Sequence, residues 1–418
     1  MKFFNIHLSK SFIDLTKGHV ISQIIGAISS IFIAELYGAS ALGVFSVFFT
    51  TTTIVSTLNT VRLESVLFLD QEAKEQQNNS VGLLWVMLLS TFIFIIISLF
   101  IPVNYIEKYF VNRALLLFII IGALFNSVRT MFYNLELLHN NFKRIKYSKI
   151  LFTVAKYCAQ FGVVIFTTNY LGLVFGYFLG VLLVIIYLKK NITFWVKDFS
   201  LLMFKNTIKR HAGLLKYALP GDIVNTIAIN VFPVLLKASY GDTLTGNYFM
   251  SYLFLSIPLA FLHSVISPVF FKKSVKLANE FAYQELLTYT FRIVKRIFVV
   301  MSLPLLIVLF VGNEIVVFFL NEEWRNTGVF LQIFSILFIA RILYSPISSL
   351  EEVLKKNHIS LLVNIYFVIV LFLGIFAGRE TYSIFEIASF ISVFTALGYL
   401  FLLFYFYINL CRLVKSVS

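Results

Sequence analysis

The chain has 418 residues, of which 59% are hydrophobic and only 13% charged, with a formal net charge of +14. A water-soluble domain carries roughly 25% charged residues, so these proportions exclude one and indicate a chain that spans a membrane many times. The positive balance does not mark a nucleic-acid binder, because the Lys and Arg residues gather in loops on one side of successive apolar runs.

Twelve apolar runs of about the length needed to cross roughly 30 Å of hydrocarbon follow in order: 18–37, 41–63, 80–102, 114–137, 148–168, 171–188, 217–239, 245–271, 294–313, 328–350, 359–377 and 386–408. Only Asn169-Tyr170 separates the fifth from the sixth, which is short. With the spans alternating, the basic stretches Lys143–Lys149, Lys189–Lys216, Lys272–Arg296 and Lys355-Lys356 fall together, which places both termini in the cytoplasm. No cleavable signal peptide is expected, because the first run is long enough to remain as a helix. Cys158 and Cys411 suggest no disulfide framework.

Residues 1–17, with Lys2, Lys10 and Lys17 among Phe3, Phe4 and Phe12, read as a short amphipathic lead-in at the membrane surface. The first two spans form a hairpin about Tyr37-Gly38. Along the second, Ser46, Thr50, Thr53, Thr57, Thr60 and Glu64 recur at steps of four and three, which aligns them on one helix face. Two readings stand: the hydroxyls bond back to their own carbonyls or let helices pack closely, or they wall a hydrated cavity.

Arg129 in the fourth span, Lys156 in the fifth and Arg341 in the tenth place bases at mid-span. A charge there costs roughly 2.5–3.5 kcal/mol on insertion scales, so each predicts either a pairing partner or a function. Glu136, two turns beyond Arg129, is the candidate partner. A positive interior favours an anion such as a phosphate or diphosphate, which Arg grips through two parallel hydrogen bonds, over a cationic drug. Residues 189–216, with Ile192, Phe194, Trp195, Leu201 and Leu202 among several bases, read as an amphipathic connector on the cytoplasmic face. The seventh span carries Asp222, Asn225, Thr226, Asn230, Pro233 and Lys237. Pro233 predicts a kink, serving either as a hinge or as a static packing feature.

The segment Tyr240-Gly241-Asp242-Thr243-Leu244-Thr245-Gly246-Asn247-Tyr248 repeats the pattern of Tyr37-Gly38 through Gly43-Val44-Phe45. The same offset sets Asp222, Asn225 and Thr226 against His19, Ser22 and Gln23. The chain therefore reads as a parallel duplication: an N-terminal six-helix lobe (1–188), a connector (189–216) and a C-terminal six-helix lobe (217–418), with a binding site expected where the halves face each other. His263 reads as a packed or cavity histidine. No Walker loop, nucleophile elbow, Cys-x-x-Cys or metal-ligand spacing stands in the chain, so no catalytic residue, metal or cofactor is expected.

Ile33-Ala34-Glu35-Leu36-Tyr37-Gly38 with Arg62-Leu63-Glu64 resembles the opening of Wzx-type polysaccharide flippases, members of the multidrug/oligosaccharidyl-lipid/polysaccharide (MOP) exporter superfamily. Further matches are Lys216-Tyr217-Ala218-Leu219-Pro220, Ile257-Pro258-Leu259, Asn321-Glu322-Glu323-Trp324 through Gly328, and Ser345-Pro346. The resemblance implies an all-α polytopic protein of about 12 helices, in two pseudo-symmetric six-helix lobes forming a V around a central cationic cavity. It implies alternating access that moves undecaprenyl-diphosphate-linked oligosaccharide units of an O-antigen, capsule or exopolysaccharide. These would pass from the cytoplasmic to the periplasmic leaflet of the bacterial inner membrane, alongside a polymerase and glycosyltransferases. Arg129, Arg341 and Lys156 would attract the diphosphate. His19, Gln23, Ser46, Thr50, Thr53, Thr57, Thr60, Asn225, Thr226 and Asn230 would line the cavity; Glu35, Glu64, Asp222 and Lys237 would gate it or couple it to an ion. Glu35 stands where relatives often carry a base, and Ala39 where Pro is frequent, so a cationic gate at that point is not carried over. The rivals are a cation-coupled multidrug exporter of the same superfamily, with Glu35 as its acid, and a membrane-embedded polysaccharide-modifying enzyme.

Overall fold

The computed structural model describes residues 10–61, 63–64, 73–189, 199–378 and 381–417. Lys2, Phe3 and Phe4 of the lead-in, Arg62, and Ile192, Phe194 and Trp195 of the connector lie outside them. The described residues are helical without a strand: α1 (Lys10–Thr60), α2 (Ala73–Phe100), α3 (Val103–Phe110), α4 (Arg113–Leu138), α5 (Phe142–Val164), α6 (Tyr170–Lys189), α7 (Leu201–Arg210) and α8 (Ala212–Asn230). There follow α9 (Phe232–Val265), α10 (Ser267–Asn279), α11 (Tyr283–Phe319), α12 (Arg325–Tyr344), α13 (Leu350–Val353), α14 (Asn357–Gly378) and α15 (Ile384–Val417).

At 1.5 Å per residue a continuous α1 would run roughly 75 Å, more than twice the hydrocarbon thickness. It is instead two helices, broken at Gly38 (φ 73°, ψ 169°), and α9 breaks in the same way at Gly241 (φ 84°, ψ 180°). Both are the glycine of the repeated Tyr-Gly pair, and both hold a positive φ that side chains resist. Between α8 and α9 the helix stops at Val231, two residues before Pro233, whose missing N–H removes the bond that would carry α8 onward.

Nine stretches of the described residues are long and apolar enough to cross a membrane. Two of them, Thr16–Thr60 and Leu219–Asn279, contain the glycine breaks and so supply two spans each. α5 is too rich in Lys and Arg to qualify by composition, yet it packs against α4 and α6 and completes the twelve spans read from the sequence. The chain is a multi-pass membrane protein, and the many Phe, Leu and Ile side chains left exposed on α2, α11 and α15 suit contact with lipid.

The chain divides into two compact units, one of Lys17–Gly246 and one that holds the helices from Asn247 onward. The division falls inside α9, so α8 and the start of α9 group with the N-terminal helices. In the first unit Leu83, Met87, Met131, Leu135 and Leu188 form a core shared by α2, α4 and α6. The described part of the connector closes onto it: the Asn78 side chain accepts from the Ser200 N–H (2.7 Å) and donates to the Ser200 carbonyl (3.2 Å). Glu75 then accepts from Thr207 (2.9 Å) and Arg210 (3.0 Å) on α7. In the second unit α12 packs against α11 and α15, and Ser392 of α15 donates to the Ile333 carbonyl (2.7 Å).

Glu136, at the end of α4, is fully buried and accepts from Arg144 (2.5 Å) and Asn141 (2.6 Å); Arg144 also donates to the Tyr187 carbonyl (2.5 Å). This latch closes the α4–α5 turn onto α6, and it takes Glu136 away from Arg129, correcting the pairing expected from spacing. Removing one partner of a buried ion pair strands the other charge at a cost of about 3–5 kcal/mol. Glu136→Gln is therefore expected to lower the thermal unfolding midpoint in detergent by roughly 5–10 °C. Arg210→Gln, which breaks the more exposed Glu75 pair, should move it by no more than about 2 °C.

Candidate functional site

Within the N-terminal unit three helices turn polar faces toward one cavity of about 440 Å³. α1 contributes His19, Ser22, Gln23 and Gly26, at steps that repeat one helical face. From α4 come Arg129, Thr130 and Tyr133, and from α5 Ser148, Lys149, Phe152, Thr153, Lys156 and Tyr157; Val184 and Leu188 of α6 complete the wall. No carboxylate is among these residues.

Arg129 is the unusual member. Its guanidinium lies over the Phe152 ring, 4.8 Å from the centroid, and one terminal nitrogen donates to Asn126 Oδ1 (2.7 Å). Its Nε is buried with no hydrogen-bond acceptor, and among the described residues no carboxylate forms an ion pair with it. A partly buried cation in that state carries its desolvation cost without a counter-charge, which an incoming anion would supply. The two lysines are also held by rings rather than acids. Lys149 Nζ touches His19 Nε2 and sits 5.1 Å from the Tyr133 centroid, and Lys156 Nζ sits 3.9 Å over Tyr157. Around these bases stand Ser22, Thr130 and Thr153, whose hydroxyls donate to their own helix carbonyls and keep acceptor lone pairs for a ligand. The arrangement suits an anion bearing hydroxyl groups.

Of the residues singled out from the sequence, His19, Gln23, Arg129 and Lys156 come together here. Arg341 does not line this cavity. It lies in the C-terminal unit, close to Tyr248, Tyr252 and Tyr399, and 5.7 Å from the centroid of Phe338. Both arginines thus rest on a phenylalanine of their own unit, but Arg341 is enclosed by tyrosines. The hydroxyl row also stands apart from the cavity. Ser46, Thr50, Thr53, Thr57 and Thr60 donate to the carbonyls of Gly43, Ser46, Phe49, Thr53 and Thr57, at 2.7–3.2 Å. Asn230 donates to the Thr226 carbonyl (2.9 Å), while Asn225 and Glu35 are exposed. Glu64 is half-buried, as is Asp222, and Lys237 is buried and ion-paired to Asp242 across the Gly241 break. Lys149, Tyr133, Thr130 and Thr153 are among the members that sequence reasoning missed. Lys149 reads as the end of a basic loop, although it sits seven residues, two turns, before Lys156 and so shares its face.

The fold is that of MOP-superfamily transporters. The chain superposes on the lipid II flippase MurJ in an inward closed conformation with a TM-score of 0.72 at 16% identity, covering 95% of this chain and 90% of that one. An inward-facing multidrug resistance MATE family transporter gives 0.68 at 12% identity, over 99% and 97%. A MOP superfamily transporter from Pyrococcus furiosus, described as having a binding pocket of reverse polarity, gives 0.57 at 11% identity, over 97% and 96%. No curated protein sequence matches the chain. The sequence pattern of the polysaccharide biosynthesis protein family matches residues 69–328, and the chain belongs to that family.

Proposed function

We propose that the protein is a flippase for polyprenyl-diphosphate-linked oligosaccharides, of the Wzx type. The observation that carries this reading is Arg129, a partly buried guanidinium with an unpartnered Nε, facing a 440 Å³ cavity whose lining includes no carboxylate. The diphosphate occupies the space between Arg129, Lys149 and Lys156; the Ser, Thr and Gln side chains around it meet sugar hydroxyls, and the polyprenyl tail stays in lipid. The two six-helix lobes of residues 1–188 and 217–418 alternate access from the cytoplasmic to the outer leaflet of a bacterial cytoplasmic membrane, with both termini inside. The protein makes and breaks no covalent bond, so glycosyltransferases before it and a polymerase after it do the chemistry. A cationic drug is a poor fit for a cavity lined by three bases and no acid.

The test is transport by the purified protein in liposomes. A lipid-linked oligosaccharide loaded in one leaflet is expected to become accessible to an impermeant glycosidase on the other side. Access at the rate of protein-free liposomes, with efflux of a cationic dye instead, would overturn the reading in favour of a drug exporter. In the same assay Lys149→Gln and Lys156→Gln should each raise the half-saturating substrate concentration about tenfold, since a charge-assisted hydrogen bond contributes about 1.5–3 kcal/mol.

A further inference from the structure

We infer that Glu351 is a proton-binding carboxyl of the C-terminal unit, alternating between acid and carboxylate, and that Arg341 senses its charge through Tyr344 and Tyr399. The inference does not rest on the Arg129 cavity, which lies in the other unit.

Glu351 stands in α13, the short turn of helix between α12 and α14. Its carboxylate accepts from the hydroxyl of Tyr344, the last residue of α12, which is itself almost fully buried. On the other side stands Ser360 of α14, whose buried hydroxyl has no hydrogen-bond partner and favours the charged carboxylate. Among the described residues no base closes an ion pair with Glu351. On α10, which packs against α13, Lys273 pairs with Glu285 (3.1 Å) and Lys276 with Glu280 (3.8 Å), and Lys272 forms no ion pair with Glu351. In the following turn the Lys356 N–H donates to the Glu351 carbonyl (2.7 Å), while the Lys355 N–H donates to that of Glu352 (3.1 Å). His358, at the start of α14, is exposed, and Glu352 beside it adds like charge. Burial, with that like charge, pushes the Glu351 carboxyl above the ordinary glutamate range, against the pull of the two hydroxyls.

The connection inward is continuous. The Tyr344 ring lies 6.1 Å from that of Tyr399 on α15, and Tyr399 feels both Glu351 and Arg341. Arg341 is three residues before Tyr344 on the same face of α12. As the carboxylate, Glu351 accepts a hydrogen bond from the Tyr344 hydroxyl and attracts the guanidinium through the tyrosines. On taking up a proton from the exposed side of α13 it becomes a neutral acid, and that attraction ends. The step moves one proton between solvent and carboxyl and needs no other reactant. A half-buried carboxyl next to a tyrosine pair that ends on a guanidinium is a means of tying proton uptake to the packing of α12 against α15.

Infrared titration of the whole protein in lipid tests this. A carboxyl band is expected to titrate above the ordinary glutamate range. It should be absent in Glu351→Gln and unchanged in Glu352→Gln. Tyr344→Phe removes a donor from the charged form and should shift the midpoint up by about one unit, and Arg341→Gln should shift it the same way, while Arg129→Gln leaves it in place. No carboxyl titrating above the ordinary range, or a band that persists in Glu351→Gln, overturns the inference. Should Glu351→Gln fail to fold, an unmoved midpoint in Tyr344→Phe or Arg341→Gln overturns it instead.

Discussion

Arg129→Gln is expected to abolish delivery of polysaccharide to the cell surface, by roughly a hundredfold, while leaving the protein at least as stable as the native chain. The two halves of this expectation come from one fact. The guanidinium is partly buried, its Nε has no acceptor, and among the described residues its hydrogen bond is to the neutral Asn126. A partly buried cation with no counter-charge costs stability, so removing it relieves the fold, and the unfolding midpoint in detergent should hold or rise by a few degrees. Function should fall because the same unmet charge supplies the fork that holds a diphosphate through paired hydrogen bonds. Arg129→Lys keeps the charge without the fork and is expected to recover only part of the activity. Loss of polysaccharide accompanied by a lower midpoint would assign Arg129 a structural role instead.

A second large effect is expected where the two Tyr-Gly-x4-Gly segments cross inside the N-terminal unit. A Cβ placed on Gly43 would lie 1.9 Å from the Asp242 carbonyl oxygen, and one placed on Gly246 would lie 1.8 Å from the Ala39 carbonyl oxygen. Asp242 follows Ala39, and Gly246 follows Gly43, by the same offset of 203 residues, so the contact is reciprocal and obeys the internal repeat. The obstacle in each case is backbone, which cannot swing aside as a side chain can, and the segments must part by roughly an ångström or more to admit a methyl group. Gly43→Val and Gly246→Val are therefore expected to lengthen the distance between spin labels at Ser40 and Thr243 by several ångströms and to stop transport, with the protein still inserted. Gly162→Ala, where a Cβ meets nothing within 4 Å, is the control and should stabilise by about 0.5–1 kcal/mol. Unchanged label distances in both valine variants would mean that the crossing is not tight in the membrane.

The parts of this structure that were legible in the sequence are those in which a physical constraint restricts residue choice. Crossing hydrocarbon demands apolar runs, and a chain reversal with positive φ demands glycine, so the spans and the Gly38 and Gly241 breaks leave marks. Pro233 announces the end of α8 because it lacks a donor. A base at mid-span is costly, so Arg129 stands out. What escaped depends on direction rather than spacing. Glu136 lies on the same face as Arg129, seven residues away, yet Arg144 reaches it from α5, and only the packed helices decide between the two bases. The Ser46–Thr60 row has the period of a lined wall, but each hydroxyl can satisfy itself on its own helix without any outside partner. Lys149 was obscured by the basic residues just before it, although its face is that of Lys156. Glu351 sits in a short polar turn beside Glu352, and nothing in the sequence separates the carboxyl that Tyr344 covers from the one left in water.

The central claim is that the cavity around Arg129 holds a lipid-linked diphosphate, and the most direct measurement is equilibrium binding of a polyprenyl diphosphate, set against the matching polyprenyl alcohol, by purified protein in lipid nanodiscs. The native chain is expected to prefer the diphosphate strongly, Arg129→Gln to lose this preference by roughly a hundredfold, and both to bind the alcohol equally. Equal affinity of the native and Arg129→Gln proteins for the diphosphate would contradict the claim.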